Sequence, residues 1–289
     1  MRAPWWCCGL LAAAASASTA FAADEAVAPL GGVVEQRAPA PLWEIGLGAA
    51  VLKLPDYRGS DESRTYLLPL PYLVYRGDWL RADRDGARAM LVKADRVKVD
   101  LSVAATVPTR SRDNAARAGM PNLPGALEVG PNVNLELFES ARGGARLDLR
   151  VPLRAAISIE RSPDVIGTTF SPNLNLDLRR LGGWNVGVLG GPLFADRRYH
   201  ERYYGVDAAY ATPQRPAYRA HGGYAGWRAL TALSRRVGSV WVGAFVRYDS
   251  LRGAVFADSP LVRRDHEVTA GIGVSWVFAT SGQLVATDD

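Results

Sequence analysis

Cysteine is nearly absent from the sequence. The only two cysteines, Cys7 and Cys8, lie in an apolar N-terminal segment that ends in Ala20-Phe21-Ala22. Small residues at the first and third of these positions are typical of a signal-peptidase site, so we predict a signal peptide that is cleaved after Ala22. The mature chain then has no thiol, which excludes disulfides, iron–sulfur clusters and cysteine catalysis.

Long apolar runs and helical patterns are also missing. After residue 22, no stretch approaches the about 18 consecutive apolar residues that mark a transmembrane helix. Capped segments with apolar residues three and four apart are nearly absent as well. Only helices and closed sheets satisfy every backbone hydrogen bond in hydrocarbon, so the mature chain can enter a membrane only as a closed barrel.

Lysine is scarce, and the positive charge forms no stripe. Lysine occurs at positions 53, 93 and 98, so nearly all of the 34 Lys and Arg residues are arginines, and these alternate with the 29 Asp and Glu residues. Without Arg2, the mature net charge is 33 − 29 = +4. Nucleic-acid binding requires a concentrated basic stripe, so we expect no nucleic-acid partner. A mixed-sign solvated surface is the simpler explanation, and contact with anionic lipid headgroups is the alternative.

What the sequence does contain is alternation of apolar and polar residues. In RLDLRVPLRAAISIE, residues 146–160, the odd positions are all apolar, whereas the even positions include arginines and acids. Successive side chains of a strand point to opposite faces, so this pattern predicts a strand with one apolar and one charged face. The pattern recurs and predicts twelve strands, at 42–54, 64–76, 78–84, 87–94, 96–107, 126–139, 145–160, 168–180, 183–195, 218–236, 239–251 and 266–278.

The connections between these strands alternate in length. Short turns alternate with long connections at 55–63, 108–125, 161–167, 196–217 and 252–265, and the short turn at Asp85-Gly86 is the one exception. In bacterial membrane barrels, tight turns face the periplasm and long loops face outside, whereas a soluble sandwich has no reason for this segregation. We therefore predict an all-β fold: a transmembrane antiparallel up-and-down β-barrel of about twelve strands, with ten as the alternative.

The inner face of the predicted barrel is polar, with room at its glycines. An antiparallel register across the turn near Ala141 would set Glu136, Asn134, Asn132 and Glu128 opposite Arg146, Asp148, Arg150 and Arg154, in that order. Eight glycines fall on the inner face: Gly46, Gly48, Gly130, Gly187, Gly191, Gly243, Gly271 and Gly273. Six prolines fall inside predicted strands: Pro69, Pro71, Pro131, Pro152, Pro172 and Pro192. Because proline cannot donate to a ladder, we expect them at bulges or beyond strand ends.

The last predicted strand carries the pattern of an outer-membrane assembly signal. In GIGVSWVF, residues 271–278, Gly273 is followed by Trp276 and Phe278. We therefore expect the outer-membrane assembly machinery to recognise this strand. Aromatic residues at alternate positions also suit the interfacial girdle of a barrel. The signal usually ends a chain, whereas residues 279–289 follow here, so an ordinary amphipathic strand is the alternative.

Four motifs occur along the mature chain: YRGSD at 57–61, PLPYLVYRGDWL at 69–80, YYGVDAAYA at 203–211 with YRAHGGYAG at 218–226, and ADSPLVRR at 257–264. In this order they resemble the MipA/OmpV family of outer-membrane proteins, the MltA-interacting protein type. The resemblance extends from about residue 43 to 278, which is essentially the mature chain.

The resemblance implies a barrel in the outer membrane, in contact with outer-membrane lipid and lipopolysaccharide and without a cofactor. One member of the family is known as a scaffold that brings a lytic transglycosylase together with a bifunctional murein synthase. Others are discussed as osmolarity- or stress-responsive porins and adhesins. The family offers no established catalytic, cofactor-binding or metal-binding residues to carry over. Eight residues match its motifs, and we expect them to serve loop and strand-end architecture: Tyr57, Gly59, Asp61, Pro71, Tyr72, Asp258, Ser259 and Pro260.

The histidines of the chain give little support to an enzymatic function. The chain has three, His200, His221 and His266, all near predicted outer loops, where barrel enzymes keep their sites. No serine stands in a nucleophile elbow, and no pair of residues has the spacing of metal ligands. We therefore expect no enzymatic activity, with an outer-membrane lipid hydrolase as the remote alternative.

The predicted organisation is a signal peptide at 1–22, a flexible segment at 23–41, the barrel at 42–278 and a tail at 279–289. We expect the protein in the cell outer membrane as a scaffold for peptidoglycan-remodelling enzymes. A small-solute porin or a surface adhesin is the alternative. Strand number does not decide between them, since barrels of about eight strands fill with side chains and those of about 16–18 hold a channel.

Overall fold

β-strands are the main secondary structure of the protein. A computed structural model describes residues 40–76, 80–83, 86–94, 96–141 and 143–285, with the backbone alone for 80–83 and 86–93. The predicted signal peptide and residues 23–39 lie outside these ranges. Within them there is one α-helix, and no helix has the length and apolarity that crossing a membrane would need. The predicted all-β fold is confirmed.

The strands follow the alternating segments of the sequence. They are β1 (Ala40–Pro41), β2 (Trp43–Pro55), β3 (Ser63–Arg76), β4 (Leu80–Asp83), β5 (Gly86–Lys93), β6 (Val97–Thr106), β7 (Ala126–Glu139), β8 (Ala145–Ser158), β9 (Val165–Phe170), β10 (Asn173–Leu181), β11 (Trp184–Ala195), β12 (Gly223–Val237), β13 (Val240–Ser250), β14 (His266–Thr280) and β15 (Leu284–Val285). The helix α1 spans Arg197–Tyr204, and 3-10 turns lie at Ser111–Asp113, Ala115–Arg117 and Ala208–Tyr210.

Strands β2 to β14 close into an antiparallel barrel. Consecutive strands pair with each other, except β9 with β10, and β14 pairs back to β2. The sheet has 13 strands, but β9 and β10 lie end to end beside β8, separated by Ser171 and Pro172. They occupy one position in the wall, so the barrel has 13 − 1 = 12 wall strands. This agrees with the predicted twelve.

The two ends of the barrel differ as predicted. Residues 56–62, 107–125, 159–164, 196–222 and 251–265 connect strands at one end, which we call the long-loop end. Short turns connect them at the other, the short-turn end. There β1 pairs with β15, through Ala40 opposite Val285, so both ends of the described chain meet. Ala40 and Pro41, predicted to belong to a flexible segment, thus form a short strand.

The charged faces of the strands point into the barrel and the apolar faces point outward. On β8, the inward Asp148 is 4% exposed, whereas the outward Leu153 is 48% exposed. Exposed aromatic residues on the wall lie in two groups: Phe138, Trp184, Trp276 and Phe278 toward the short-turn end, and Phe170, Trp227 and Tyr248 toward the long-loop end. Two such girdles mark the interfaces of a membrane barrel.

The prolines were predicted at bulges or beyond strand ends, and this was wrong for five of them. Pro69, Pro71, Pro131, Pro152 and Pro192 lie inside strands, and Pro172 lies at an interruption. The N–H of Arg76 donates to Leu42 O at 2.8 Å, so even-numbered residues of β3 point their N–H groups to β2. Pro69 and Pro71 face the other side, where β4 pairs only with the last two residues of β3 in the described chain. No ladder hydrogen bond is lost there.

The β7–β8 register differs by two residues from the predicted one. Asn134 pairs with Arg150, not with Asp148, and the other predicted pairs shift in the same way. The reason is a bulge after Glu136 together with a turn longer than two residues. A shift of two keeps each side chain on its predicted face. Glu136 and Arg146 still meet diagonally, with Arg146 Nη2 at 3.6 Å from Glu136 Oε2.

Candidate functional site inside the barrel

The half of the lumen nearer the short-turn end is packed with apolar side chains. The rings of Trp241 and Tyr72 lie 6.1 Å apart between centroids, and both are buried together with Phe245. A Cβ added at Gly243 would overlap the Trp241 ring, and one at Gly271 would overlap Phe245. The room that these two inner-face glycines leave is therefore filled by aromatic rings.

A buried acid closes the lumen at the short-turn end. Glu44 of β2 is buried, and its Oε1 lies 2.7 Å from Nη2 of Arg76. Arg236 contacts the other carboxylate oxygen of Glu44. The two arginines thus balance one acid at the rim.

Long loops close the opposite end of the lumen. We call residues 56–62, 107–125, 196–222 and 251–265 the outer cap. Tyr204 of α1 stacks on Phe256 in its apolar cluster, with ring centroids 3.7 Å apart. Asp196 begins α1, since its carboxylate accepts the N–H of Tyr199 at 2.8 Å. The outer cap therefore has a small core of its own.

Three of the four family motifs meet in the outer cap. The Tyr57 hydroxyl donates to Leu261 O at 2.8 Å, and the Ser259 hydroxyl donates to Tyr204 O at 2.7 Å. Gly59 has φ of +88°, a conformation that favours glycine. The remaining motif residues are placed as follows: Asp61 lies 3.9 Å from Arg263 on the surface, Pro71 and Tyr72 lie in β3, and Asp258 and Pro260 lie in the loop after β13. Six of the eight residues thus lie in loops, whereas Pro71 and Tyr72 lie inside a strand and not at its end, with Tyr72 buried in the lumen.

Beneath the outer cap, charged side chains are buried in the lumen. Asp249 is fully buried, and three arginine Nε atoms lie near its carboxylate: those of Arg58 at 3.3 Å, Arg228 at 2.9 Å and Arg247 at 2.7 Å. Glu267 is the second buried acid of this group and accepts a backbone N–H from the outer cap at 3.0 Å. We call these five residues the charge cluster.

Sequence analysis did not single out the charge cluster. Its strand residues fall on the inner faces of β12, β13 and β14, which the alternation does indicate. Arg228 and Asp249 are directly opposite each other on β12 and β13, but this pairing follows only from the observed register. Arg58 comes from a loop, so no periodic pattern could place it.

His200 is buried in α1, at 1% exposed. Its Nδ1 lies 2.6 Å from His221 O, so Nδ1 carries the proton and Nε2 is an acceptor. Nε2 has no hydrogen-bond partner within the described residues. Burial lowers the pKa of His200; the hydrogen bond to His221 opposes this, and the charge of Arg58 adds to the lowering.

The other two histidines lie on the surface. His266 contacts Asp265 at 2.6 Å, and His221 is exposed. In the part of the chain that the structure describes, no group of three or more His, Cys, Asp or Glu side chains could hold a metal ion.

We expect the outer cap to loosen as the pH falls below about 6.5, the ordinary pKa of histidine. Because the folded-state pKa of His200 is lower, the unfolded state binds a proton in this window that the folded state does not, and stability falls with pH. Limited proteolysis of residues 196–222 at about pH 7.5 and about pH 5.5 would measure this. The added cleavage should disappear in His200→Asn, whose amide does not titrate. Equal pH dependence in both proteins would contradict the prediction.

Two neighbouring cavities lie between the apolar packing and the outer cap. The lumen cavity, about 120 Å³, is lined by Arg150 and Arg154 of β8, among others. The cap cavity, about 70 Å³, lies beneath α1 and is lined by His200. Ser171 and Arg228 line both cavities, which are therefore neighbours in the lumen. On the outer side of α1, a cleft of about 570 Å³ opens to solvent.

The chain matches a known protein family over most of its length. The sequence matches the family described as MltA-interacting protein MipA over residues 46–278. A comparison with curated proteins finds no match.

Solved structures with a similar chain course are outer-membrane barrels of low identity. The NanC porin is 9% identical with a TM-score of 0.36, covering 80% of this chain and 98% of its own. A bacterial polysaccharide outer membrane secretin is 10% identical with a TM-score of 0.41, covering 82% and 99%. Outer membrane phospholipase A from Escherichia coli is 11% identical with a TM-score of 0.31, covering 88% and 98%. Similarity at this level does not indicate a shared activity.

The family match begins within β2 and ends within β14, so it spans the closed barrel. A closed sheet with an apolar outer wall is the form in which strands cross the outer membrane. The chain is an outer-membrane β-barrel protein, and it belongs to the MltA-interacting protein MipA family.

Proposed function

We propose that the protein is a non-catalytic scaffold that holds a peptidoglycan-remodelling enzyme at the periplasmic side of the outer membrane. The main observation that supports this proposal is that side chains fill the lumen. Trp241 and Phe245 are each 3% exposed, and Arg247 and Asp249 are fully buried. A water-filled channel would leave side chains along its wall exposed. A barrel without a channel acts through its surfaces, and the short-turn end is the one that faces the peptidoglycan.

The family description supports a partner class. It names an interaction with MltA, a lytic transglycosylase, and we infer that this chain binds such an enzyme and, through it, a murein synthase. The periplasmic rim, which we define as Arg96, Arg235 and the β1–β15 pair, lies at the short-turn end, where Arg96 and Arg235 are exposed. Its two arginines favour an acidic surface on the partner.

The outer wall supports two further partners. Exposed aliphatic side chains such as Leu47 and Val246 suit contact with outer-membrane lipid and the acyl chains of lipopolysaccharide. The aromatic side chains of Trp276 and Phe278 point outward from the last wall strand, which supports recognition of that strand by the assembly machinery.

Charge reversal at the rim should abolish partner capture. We expect the double variant Arg96→Glu with Arg235→Glu, immobilised in detergent, to retain at least about tenfold less purified lytic transglycosylase than the wild type, because like charges are set against an acidic surface. Arg263→Glu is the matched control, since Arg263 lies at the opposite end with its side chain 52% exposed. Undiminished capture by the double variant, or equal loss in the control, would contradict the proposal.

A small-solute porin is the second candidate, since the two internal cavities leave some space in the lumen. We expect no reproducible conductance steps from the purified protein in planar bilayers. Folding of the inserted protein would be verified by heat-modifiable migration on gels. Reproducible single-channel steps would favour the porin over the scaffold.

A further inference from the structure

We propose that a gap in the outer-leaflet half of the barrel wall binds an acyl chain of lipopolysaccharide. The gap lies beside Ser63–Val74 of β3, which pairs with β2 alone in the described chain. The next strand, β4, pairs with β3 only at Tyr75 and Arg76, and β5 pairs with β6 only up to Asp100. We call this space the wall gap. The inference does not rest on the scaffold function, since it concerns the wall and not the periplasmic rim.

The wall gap is closed above and below. At the long-loop end, residues 107–125 are tied to the β2–β3 loop: Asn114 Nδ2 donates to Asp56 Oδ2 at 2.9 Å, and the N–H of Ala115 donates to Glu62 Oε1 at 2.6 Å. Toward the short-turn end, β4 pairs with the last two residues of β3. Because the long-loop end of a barrel faces outside, the gap opens sideways into the outer leaflet of the membrane, where lipopolysaccharide lies.

The edge of β3 beside the wall gap offers acceptors but lacks donors at its middle. Even-numbered residues of β3 point their backbone groups to β2, so odd-numbered residues point theirs to the gap. Two of these, Pro69 and Pro71, have no N–H. Their carbonyl groups remain. Unpaired backbone groups are costly in hydrocarbon, so a ligand that brings hydrogen-bond donors fits this edge better than a plain hydrocarbon chain.

Lipid A, the membrane anchor of lipopolysaccharide, brings such donors. Its acyl chains carry hydroxyl groups, and some of them are joined by amide bonds, whereas the acyl chains of phospholipids have neither group. These donors lie close to the headgroup. We therefore expect them to meet the carbonyls of Thr65 and Leu67, which belong to odd-numbered residues in the outer half of β3.

The side chains along the wall gap are apolar and partly exposed. Tyr66, Leu68 and Leu70 point inward and pack against the buried apolar cluster of the lumen, but are not fully buried themselves. By contrast, Leu52 on the neighbouring strand is 1% exposed. The three side chains line neither the lumen cavity nor the cap cavity, so we attribute their exposure to the gap. On the outward face, Leu67 is 73% exposed. An acyl chain in the gap would bury this apolar surface.

Cations at the outer end of the wall gap suit the phosphates of lipid A. Lys53 of β2 is exposed on the outward face, opposite Thr65 of β3. Arg110 is exposed beside Thr109, whose hydroxyl donates to the carbonyl of Asp56 at the same end. Neither cation has an acidic partner among the residues that the structure describes. Since basic residues at a membrane surface attract anionic headgroups, a phosphate bound here would hold the lipid with its acyl chain beside β3.

Photo-crosslinking in the outer membrane of living cells tests the proposal. The photoreactive residue p-benzoylphenylalanine replaces Leu68 beside the gap. The matched control replaces Leu189, which is also partly buried against the same apolar cluster but lies on β11, a strand that is paired on both sides. Heat-modifiable migration verifies that both variants fold, and mass spectrometry identifies the adducts. We expect a lipid A adduct at position 68 and none at position 189.

Three results of this experiment would overturn the proposal. They are the absence of a lipid adduct at position 68, adducts of equal yield at positions 68 and 189, and adducts at position 68 that contain phospholipid in place of lipid A.

A surface variant keeps the test decisive if the photoreactive residue prevents folding. Lys53→Gln removes a charge that is already exposed. We expect native mass spectrometry of the protein in mild detergent to detect lipid A on the wild type and about fivefold less on Lys53→Gln, the effect of one cation at a membrane surface. Arg161→Gln is the matched control, since Arg161 is exposed at the same end but between β8 and β9, across the barrel.

The control variant should retain as much lipid A as the wild type. Wild-type protein without lipid A, or equal amounts on Lys53→Gln and Arg161→Gln, would contradict the proposal. Transglycosylase capture is measured separately, so failure here leaves the scaffold function unaffected.

Discussion

Asp249→Asn is expected to lower the free energy of unfolding by about 3–5 kcal/mol, the cost of removing one partner from a buried ion group. Asparagine has nearly the same size, so packing is kept while the charge is lost. Arg58, Arg228 and Arg247 would then share Glu267 as the one acid of the charge cluster. Urea unfolding in lipid vesicles, followed by heat-modifiable migration, would measure the loss.

Asp265→Asn provides the control for this experiment. Asp265 also pairs with an arginine, at 3.0 Å from Arg252 Nε, but this pair lies on the surface of the outer cap. Exposed ion pairs contribute little because water screens them, so we expect almost no change. If Asp249→Asn and Asp265→Asn unfold alike, the charge cluster does not hold the barrel to its cap.

Ile272→Arg is expected to lower the free energy of unfolding by about 2–4 kcal/mol, the cost of a cation near the middle of the bilayer on the lipid face of a barrel. Ile272 lies at mid-strand on β14, between Ala244 and Val51 of the neighbouring strands. It is 53% exposed and points outward. Its surroundings are therefore hydrocarbon if the wall crosses the membrane.

Leu284→Arg is the matched control for the wall. Leu284 is 58% exposed, slightly more than Ile272, but lies in β15 outside the barrel wall. In a soluble protein both substitutions would be harmless, since both side chains are already exposed. Equal stability of the two variants in lipid vesicles would show that the wall does not contact hydrocarbon.

The wall could be predicted from the sequence because its signals are local to each strand. Alternation in 146–160 gave the inward and outward faces of β8 correctly, and loop lengths gave the two ends of the barrel. The register was two residues in error, since alternation repeats every two residues and cannot detect such a shift. Cleavage after Ala22 remains a prediction, because those residues lie outside the described ranges.

The outer cap and the charge cluster could not be predicted, because their contacts join distant segments. Tyr57 meets Leu261, and Arg58 meets Asp249, across the mouth of the barrel. No spacing in the sequence encodes these distances. The family motifs did identify segments that meet in the outer cap, but they did not predict which residues contact each other. The prolines of β3 were predicted wrongly for a related reason. Whether a missing N–H costs a ladder hydrogen bond depends on how far β4 extends beside β3, which the sequence does not show.

The proline-bearing side of β3 has a consequence for how the barrel comes apart. Within the described chain, Ser63–Val74 pairs as a strand with β2 alone. Pro69 and Pro71 have no N–H to donate to an additional strand on the other side. Few backbone hydrogen bonds must therefore break for the barrel to open between β3 and β4. A strand from another chain would form few hydrogen bonds by inserting at this boundary. The seam is at once the place where thermal opening should begin and one that resists aggregation.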